Sequence, residues 1–256
     1  ALAALLDVES TPLSERRRLA ESLVAELSGP LVLQVAPALA DPDLAVRRSI
    51  IKLLRRPDLG GALRPERVAL LLQSAREDPS VPARREAILA IGEIGGRQAA
   101  AALADLIETS GDPSSRLAAA GALAVSPGAL DTVAALVRKA LGSGASLAFD
   151  ANAVAELLPA YGQWLADRPE IVPVDTLPLV VGLKHPSGVL RRGAVESFER
   201  AIERLTSSHS PGRAKLLLGR LGDLGIERDI VLYQRARIAL GAEGDAAGAL
   251  AASREL

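Results

Sequence analysis

A short phrase returns along this chain, in which an Asp-Pro or His-Pro pair is followed within a few residues by arginine. The copies run from Asp41-Pro42 to Arg47-Arg48, from Asp78-Pro79 to Arg84-Arg85, from His185-Pro186 to Arg191-Arg192 and, more loosely, from Asp112-Pro113 to Arg116. They begin 37, 34 and 73 residues apart, and the last spacing is close to two periods. Such a period is typical of solenoids, in which neighbouring units together bury apolar faces that one unit leaves exposed. The phrase therefore predicts an all-α solenoid.

Each copy also contains signals for the start of a helix. Asp41 is expected to cap a helix by accepting hydrogen bonds from its first free amides, with Pro42 at the first helical position, where its missing N–H costs nothing. Asp78-Pro79 and Asp112-Pro113 repeat this pattern of an Asp cap followed by Pro. Apolar stretches that lie between these helices predict second helices, so the unit is an antiparallel helix pair. The predicted second helices are 31–39, 68–75, 99–107 and 130–141.

Proline and glycine divide the chain into three stretches of one predicted domain, 1–256. Regular repeats occupy 30–142, a degenerate unit 143–184 and regular helices 185–256. We expect the degenerate unit to be cut into two shorter helices, 146–165 and 177–183, that are joined by a longer loop. The residues that cut it are Gly142-Ser143-Gly144, Pro159, Pro169, Pro173 and Pro178. Further helices are predicted over 213–221 and 226–240, and another begins near Gly244.

The composition excludes several classes of site. The chain has no Cys, and its two histidines, His185 and His209, have no ligand-spaced neighbours, so we expect no metal site. The sequence contains no Gly-x-Ser-x-Gly elbow and no phosphate-binding glycine loop. We therefore expect a protein that is not an enzyme and has no cofactor. The net charge of −1 gives no general attraction to nucleic acid or to an anionic membrane.

The ends and the hydropathy of the chain bear on its location. No apolar run approaches the roughly 20 residues of a membrane span, and the apolar start lacks the basic segment of a signal peptide. We expect a cytoplasmic protein. Because the sequence has no Met at position 1, we expect that its native start is missing and that it belongs to a longer chain or a larger complex.

The phrase and the residues after it resemble a known repeat family. The unit that begins at Asp78-Pro79, continues through Arg84-Arg85 and an Ala-rich helix, and ends at Gly95 resembles the HEAT repeats, especially the short bacterial form of phycobilisome-lyase-like proteins. The resemblance implies a right-handed superhelix of antiparallel helix pairs, with the second helices on its concave face. It also implies a ladder in which the repeated Asp and Arg side chains join neighbouring units. Residues 236–250 are similar to a tetratricopeptide hairpin.

The paired arginines divide into two sets, since adjacent helical residues point about 100° apart. Arg47, Arg84 and Arg191 are expected in the ladder. Their neighbours are expected to be solvated or, alternatively, to contact a partner; these neighbours are Arg48, Arg85 and Arg192. The basic cluster 16–18 is expected to form a solvated helix face.

The degenerate unit contains the most unusual segment, Tyr161-Gly162-Gln163-Trp164, which lies close to Arg168. The chain has only five aromatic residues, so two within one turn stand out. One interpretation is that Trp164 fills a gap in irregular packing. The other is that Tyr161, Trp164 and Arg168 anchor a partner, since Trp, Tyr and Arg dominate interface hot spots.

These observations favour a protein–protein interaction scaffold or adaptor that binds another protein on its concave face. A HEAT-like DNA glycosylase or other nucleic-acid-binding protein is the second hypothesis. It needs a basic groove with aromatic residues and a carboxylate around an extruded base, for which Tyr161, Trp164 and Asp167 are candidates. A bilin lyase or chaperone-type subunit is the third, and it rests on the repeat subtype alone.

Overall fold

The computed structural model describes residues 1–141, 150–208, 212–214 and 217–219, and these residues form helices and turns with no β-strand. The chain divides into two compact units, Ala1–Ala129 and Leu130–Leu256. The first unit is built from stacked helix pairs. The predicted fold class, an all-α solenoid, is confirmed, whereas the handedness and the single continuous domain stay predictions.

The first unit contains seven α-helices and two 3₁₀ helices in its described residues. The α-helices are α1 (Leu2–Leu6), α2 (Leu13–Glu26), α3 (Leu44–Arg55), α4 (Arg64–Glu77), α5 (Val81–Ile94), α6 (Gly96–Thr109) and α7 (Pro113–Val125). The 3₁₀ helices are Gly29–Ala40 and Pro57–Leu59. All the second helices predicted here are present, although the one predicted over 31–39 is the 3₁₀ helix Gly29–Ala40, which contains Pro37.

Helices of the first unit form two layers. The layer of first helices is α2, α3, α5 and α7, each packed on the next. The layer of second helices is Gly29–Ala40, α4 and α6, each packed mainly on the first helix that follows it. The core between the layers is aliphatic: Ile50, Ile88 and Leu103 are fully buried. Because these side chains are short, the helices approach closely without large rings between them.

The predicted helix caps are wrong at two copies of the phrase. Asp43, not Asp41, caps α3: its Oδ1 accepts hydrogen bonds from the amides of Ala45 and Val46, at 3.0 and 3.2 Å. The helix α5 likewise begins three residues after Asp78. The prediction holds only at the third copy. There Asp112 accepts from the Ser114 amide at 3.0 Å, and Pro113 is the first helical residue.

The described part of the second unit contains four helices of 12 to 20 residues: α8 (Leu130–Leu141), α9 (Ala151–Asp167), α10 (Pro173–Lys184) and α11 (Gly188–Ser207). The helix α9 packs along α11, and α10 packs against α8 and α11. A side chain missed by the sequence pattern starts α9. Asp150 caps it by accepting from the amides of Asn152 and Ala153, at 2.9 and 3.2 Å.

The two helices predicted for the degenerate unit are present as α9 and α10, but two of the prolines expected to cut the chain do not do so. Pro159 lies inside the 17-residue α9, and Pro178 lies inside α10. An internal proline removes one backbone hydrogen bond and bends a helix, and tertiary packing can offset that cost. The predicted longer loop is the short connection 168–172. The start of the helix predicted at 146 lies outside the described residues.

Two glycines allow α9 and α11 to approach closely. A β-carbon on Gly162 would overlap the carbonyl oxygen of Ser197, and one on Gly193 would lie 3.0 Å from the carbonyl oxygen of Ala155. The backbones therefore touch on both sides of the crossing. Beyond α11, which matches the helix expected after Pro186, the helices predicted over 213–221 and 226–240 and the hairpin over 236–250 lie largely or wholly outside the described residues.

Candidate interaction surfaces

Arginine–aspartate pairs join successive first helices of the first unit. Three pairs form the ladder: Arg16 with Asp41, Arg47 with Asp78, and Arg84 with Asp112. The Nε atoms of Arg16 and Arg47 lie 3.0 and 2.8 Å from Oδ2 of Asp41 and of Asp78, respectively. Nη2 of Arg84 lies 3.1 Å from Oδ2 of Asp112. Arg47 also donates Nη2 to the second oxygen of Asp78 at 3.0 Å. The ladder predicted for Arg47 and Arg84 is therefore confirmed.

The arginine of each recurring phrase also binds the turn that precedes its own helix. The Nη1 groups of Arg47, Arg84, Arg116 and Arg191 donate to the carbonyl oxygen six residues earlier, at 2.9, 2.9, 3.2 and 2.9 Å. In the looser copy this bond starts the phrase at Ser110, so the predicted start at Asp112 is two residues too late. Ser110 takes the place of Asp41 and Asp78, and Asp112 takes the cap position of Asp43.

Asp41 and Asp78 do not cap helices because their carboxylates serve the ladder. Each also accepts from the amide two residues later, Asp43 or Ser80, at 2.8 Å, which holds the turn before the helix. Their side chains are almost wholly buried. For Arg191, the described residues show only the bonds to its own turn, to the carbonyl oxygens of His185 and Pro186.

The basic cluster 16–18 is not a uniform solvated face. Arg16 is buried in the ladder and donates Nη1 to the carbonyl oxygens of Val8 and Thr11, at 3.2 and 2.7 Å. Arg17 binds both carboxylate oxygens of Asp43, at 3.0 and 2.6 Å. This contact is the main reason that the pKa of Asp43 falls to about 2.

The three neighbours of the ladder arginines lie in different surroundings. Arg48 is half-buried and donates Nε to Oε1 of Glu86 at 2.8 Å. Arg85 and Arg192 are exposed, with no ion pair within the described residues. A further pair two helical turns along, Arg55 with Glu93, extends the line of opposite charges between α3 and α5. Acidic partners therefore neutralise much of the positive charge of this layer.

A groove opens between the second helices of the first unit. Its volume is about 620 Å³, and it lies between the 3₁₀ helix Gly29–Ala40 and α4. Leu39 and Leu70 contribute apolar walls, while Gln73 and Glu77 stand on the α4 side. The buried ladder residues Asp41, Asp78 and Arg47 also line it, together with Ala36, Pro37, Ala40, Pro42, Ser74 and Pro79. The groove is mainly apolar with an acidic side.

The structure brings Tyr161, Trp164 and Arg168 together in the second unit. The rings of Tyr161 and Trp164 are stacked with centroids 5.3 Å apart. The indole N–H donates to Oδ1 of Asp131 at 2.9 Å. The guanidinium carbons of Arg138 and Arg168 lie 4.8 and 5.2 Å from the centre of the Trp164 ring. Arg138 was not singled out from the sequence, since nothing in its spacing indicates this contact.

Both aromatic side chains are packed inside the unit. Tyr161 is fully buried and Trp164 is 5% exposed. The Tyr161 hydroxyl donates to the carbonyl oxygen of Asp175 at 2.5 Å, and burial raises the pKa of this phenol well above its ordinary value. The geometry agrees with the packing interpretation of Trp164. A role for Tyr161 and Trp164 as partner anchors stays a prediction.

The described residues lack two further features. They contain no group of three or more His, Asp or Glu side chains placed to hold a metal ion. Among them there is also no helix whose length and apolar character would suit a membrane crossing.

The family model of HEAT repeats matches residues 30–124 and, in an overlapping register, 68–156. The chain is a HEAT-repeat protein. The matched stretch contains the ladder pairs Arg47–Asp78 and Arg84–Asp112 and the whole groove. The family match leaves the phycobilisome-lyase-like subtype a prediction. A search of curated proteins finds no match to this HEAT-repeat protein.

Proposed function

We propose that this HEAT-repeat protein is a non-enzymatic adaptor that binds a segment of another protein along its layer of second helices. HEAT repeats in general form scaffolds for protein interactions. The observation that supports this surface is the groove between Gly29–Ala40 and α4. At about 620 Å³ it is within the range of ligand-binding clefts, roughly 300–1,000 Å³.

The walls of the groove suit an apolar side chain that is followed by a polar or basic one. Leu39 and Leu70 offer aliphatic surface. Within the described residues, the carboxylate of Glu77 accepts a hydrogen bond only from Gln73, at 3.0 Å. The other carboxylates of the groove are already neutralised by Arg16 and Arg47. Glu77 is therefore the charge that a basic residue of the bound segment would meet.

The exposed arginines are proposed as secondary contacts. Arg85 and Arg192 have guanidinium groups that no carboxylate engages in the described residues, whereas Arg48 would have to leave Glu86 to bind a partner. Arg168 and Trp164 form a separate feature of the second unit. The partner-binding role of all these residues is part of the proposal.

The experiment that tests the groove is photo-crosslinking from position 73, followed by a matched pair of substitutions. A benzoylphenylalanine in place of Gln73 identifies the partner segment that enters the groove. Leu70→Arg places a bulky charge in the groove and should abolish that crosslink. Leu89→Arg makes the same change on α5, where Leu89 is 40% exposed and outside the groove, and should retain it. Equal crosslinking in the two variants would refute the proposed surface.

The glycosylase hypothesis receives no support from the described residues. Its aromatic candidates, Tyr161 and Trp164, are buried against each other, and Asp167 is ion-paired with Arg204, whose Nη2 lies 3.1 Å from Oδ2. No observation favours the bilin lyase hypothesis.

A further inference from the structure

A second, independent surface surrounds Trp164. The indole is fixed by Tyr161 on its ring and by Asp131 at its N–H, so its position does not depend on a ligand. Two guanidinium groups, of Arg138 and Arg168, lie within about 6 Å of the ring centre, the usual limit of a cation–π contact. Fixed neighbours reduce the entropy that these arginines would lose on binding a ligand.

Among the described side chains around the indole, Arg168 is the exposed cation without a carboxylate partner. Arg213, which donates Nη2 to the carbonyl oxygen of Ala166 at 3.2 Å, is a second, partly buried one. Asp131 is occupied by the indole, and Asp167 by Arg204. Asp175 is buried, with its Oδ1 3.7 Å from Nη1 of Arg138. Arg168 is exposed and forms no ion pair in the part of the chain that the structure describes. A cation–π contact leaves guanidinium N–H groups free to bind a carboxylate in a forked geometry.

Exposed apolar side chains follow Arg168 closely in the sequence. Val172, Val174 and Leu177 are 40%, 59% and 40% exposed, and they occupy the turn after Arg168 and the start of α10. Asp175, between two of them in sequence, faces Arg138. The strip begins four residues after Arg168 in the chain, and the helix that carries most of it contacts Arg138 through Asp175. Three large exposed aliphatic residues within six positions form a patch rather than scattered exposure.

We propose that this surface docks a segment of another protein in which a carboxylate side chain stands next to aliphatic side chains. Arg168 receives the carboxylate, and the strip Val172, Val174 and Leu177 receives the aliphatic groups. The charge of the free cation selects an acidic segment, whereas the groove of the first unit presents an acidic side. The two surfaces are therefore distinct in chemistry, and one can fail without the other.

The single tryptophan of the chain makes the test direct, because all its indole fluorescence comes from this surface. A blocked peptide of alternating Leu and Glu is titrated into the protein while the emission is followed. The same peptide with Gln in place of Glu, and inorganic phosphate, are the other two titrants. We expect saturable binding of the Glu peptide that is at least about tenfold tighter than that of the Gln peptide, since charge-assisted bonds are roughly twice as strong as neutral ones.

Substitutions show which side chains are responsible. Arg168→Gln should remove the advantage of the Glu peptide, while Arg18→Gln, at an exposed arginine of α2 without an ion pair among the described residues, should retain it. Val174→Ser should weaken binding of both peptides. Helical circular dichroism identifies any variant that fails to fold. Equal affinities for the Glu and Gln peptides, an Arg168→Gln variant that retains the preference, or phosphate binding as tight as that of the Glu peptide would each overturn the proposal.

Discussion

At the scale of the residue, one arginine performs two structural tasks in the units of Arg47 and Arg84. Its Nη1 group binds the carbonyl oxygen six residues earlier, which fixes the turn before its own helix. Its remaining donors bind a carboxylate that precedes or caps the next first helix. Lysine could not replace it, since a single ammonium lacks the planar fork that reaches both acceptors. This double task explains why arginine returns at this position of the phrase.

The ladder predicts an order of stability among three arginine variants. Arg47→Ala should be the most damaging, because it leaves the buried carboxylate of Asp78 unpaired, at a cost of about 3–5 kcal/mol. Arg84→Ala, whose pair is partly exposed, should cost about 1–3 kcal/mol. Arg85→Ala, at an exposed side chain, should stay within about 0.5 kcal/mol. Urea unfolding measures all three, and equal midpoints for Arg84→Ala and Arg85→Ala would contradict the assignment of faces.

The ion pair of Asp43 with Arg17 should account for part of the stability that the protein loses at low pH. The pKa of Asp43 is about 2 in the folded protein, below its ordinary value of 3.8, chiefly because Arg17 binds it. The lowered pKa contributes stability above about pH 4, and this contribution is lost as the pH falls towards 2. Asp43→Asn should therefore lose less stability than the unsubstituted protein over that interval in thermal melts. Glu156→Gln, at an exposed carboxylate of α9 without an ion pair among the described residues, is the control and should behave like the unsubstituted protein.

At the scale of the element, the second unit depends on how closely its helices cross. The helices α9 and α11 meet where Gly162 and Gly193 leave no side chain between the backbones. The side chains of Tyr161 and Phe198, next to the crossing, are fully buried. An internal proline is retained in α9 because this packing outweighs the local cost of one lost hydrogen bond. Helix propensity alone would have ended the helix there.

Two glycine-to-alanine substitutions should change the stability of the protein in opposite directions. Gly162→Ala should destabilise the protein by about 1–3 kcal/mol or more, since the new methyl group overlaps the Ser197 carbonyl and forces the helices apart. Gly121→Ala, inside α7 with no atom within 4 Å of the added carbon, should stabilise it by about 0.5–1 kcal/mol. Chemical denaturation of both variants provides the measurement. A neutral Gly162→Ala would show that the crossing is looser than described.

At the scale of the whole molecule, the charge is balanced both in total and locally. The net charge is −1, and arginines on neighbouring helices are matched by carboxylates, as in Arg48–Glu86, Arg55–Glu93 and Arg76–Asp105. In the described residues these pairs reduce the positive charge that is free to attract a phosphate backbone. The abundance of arginine therefore does not by itself indicate a nucleic-acid-binding protein.

We expect no measurable binding of a labelled DNA duplex at physiological salt. Non-specific binding needs several phosphate contacts made by cations that are free of carboxylate partners, and it weakens steeply as salt rises. Fluorescence anisotropy with a duplex and with a single strand, at low and at physiological salt, tests this. A shift at physiological salt that disappears at higher salt would support the nucleic-acid hypothesis instead.

Sequence reasoning succeeded where a local pattern has one physical meaning. The period of the phrase and the apolar spacing required stacked helix pairs, because no single pair could bury its own face. The ladder is implied by the resemblance to HEAT repeats, and the 100° between adjacent helical residues allows Arg47 and Arg84 to face it while Arg48 and Arg85 point elsewhere. Gly95, at φ +64°, ends α5 as expected of a residue without a side chain. All of these follow from interactions within about one repeat.

Tertiary structure decided the features that depend on partners distant in sequence. Asp41 and Asp78 carry the same local signal as Asp112, but arginines 25 and 31 residues away determine that they bridge units and do not cap helices. Pro159 is tolerated inside α9 because the packing of this helix on α11 outweighs the local cost. The surroundings of Trp164 come from Asp131, 33 residues away, and from Arg138 and Arg168. No local pattern contains these contacts, because they form only when separate helices pack together.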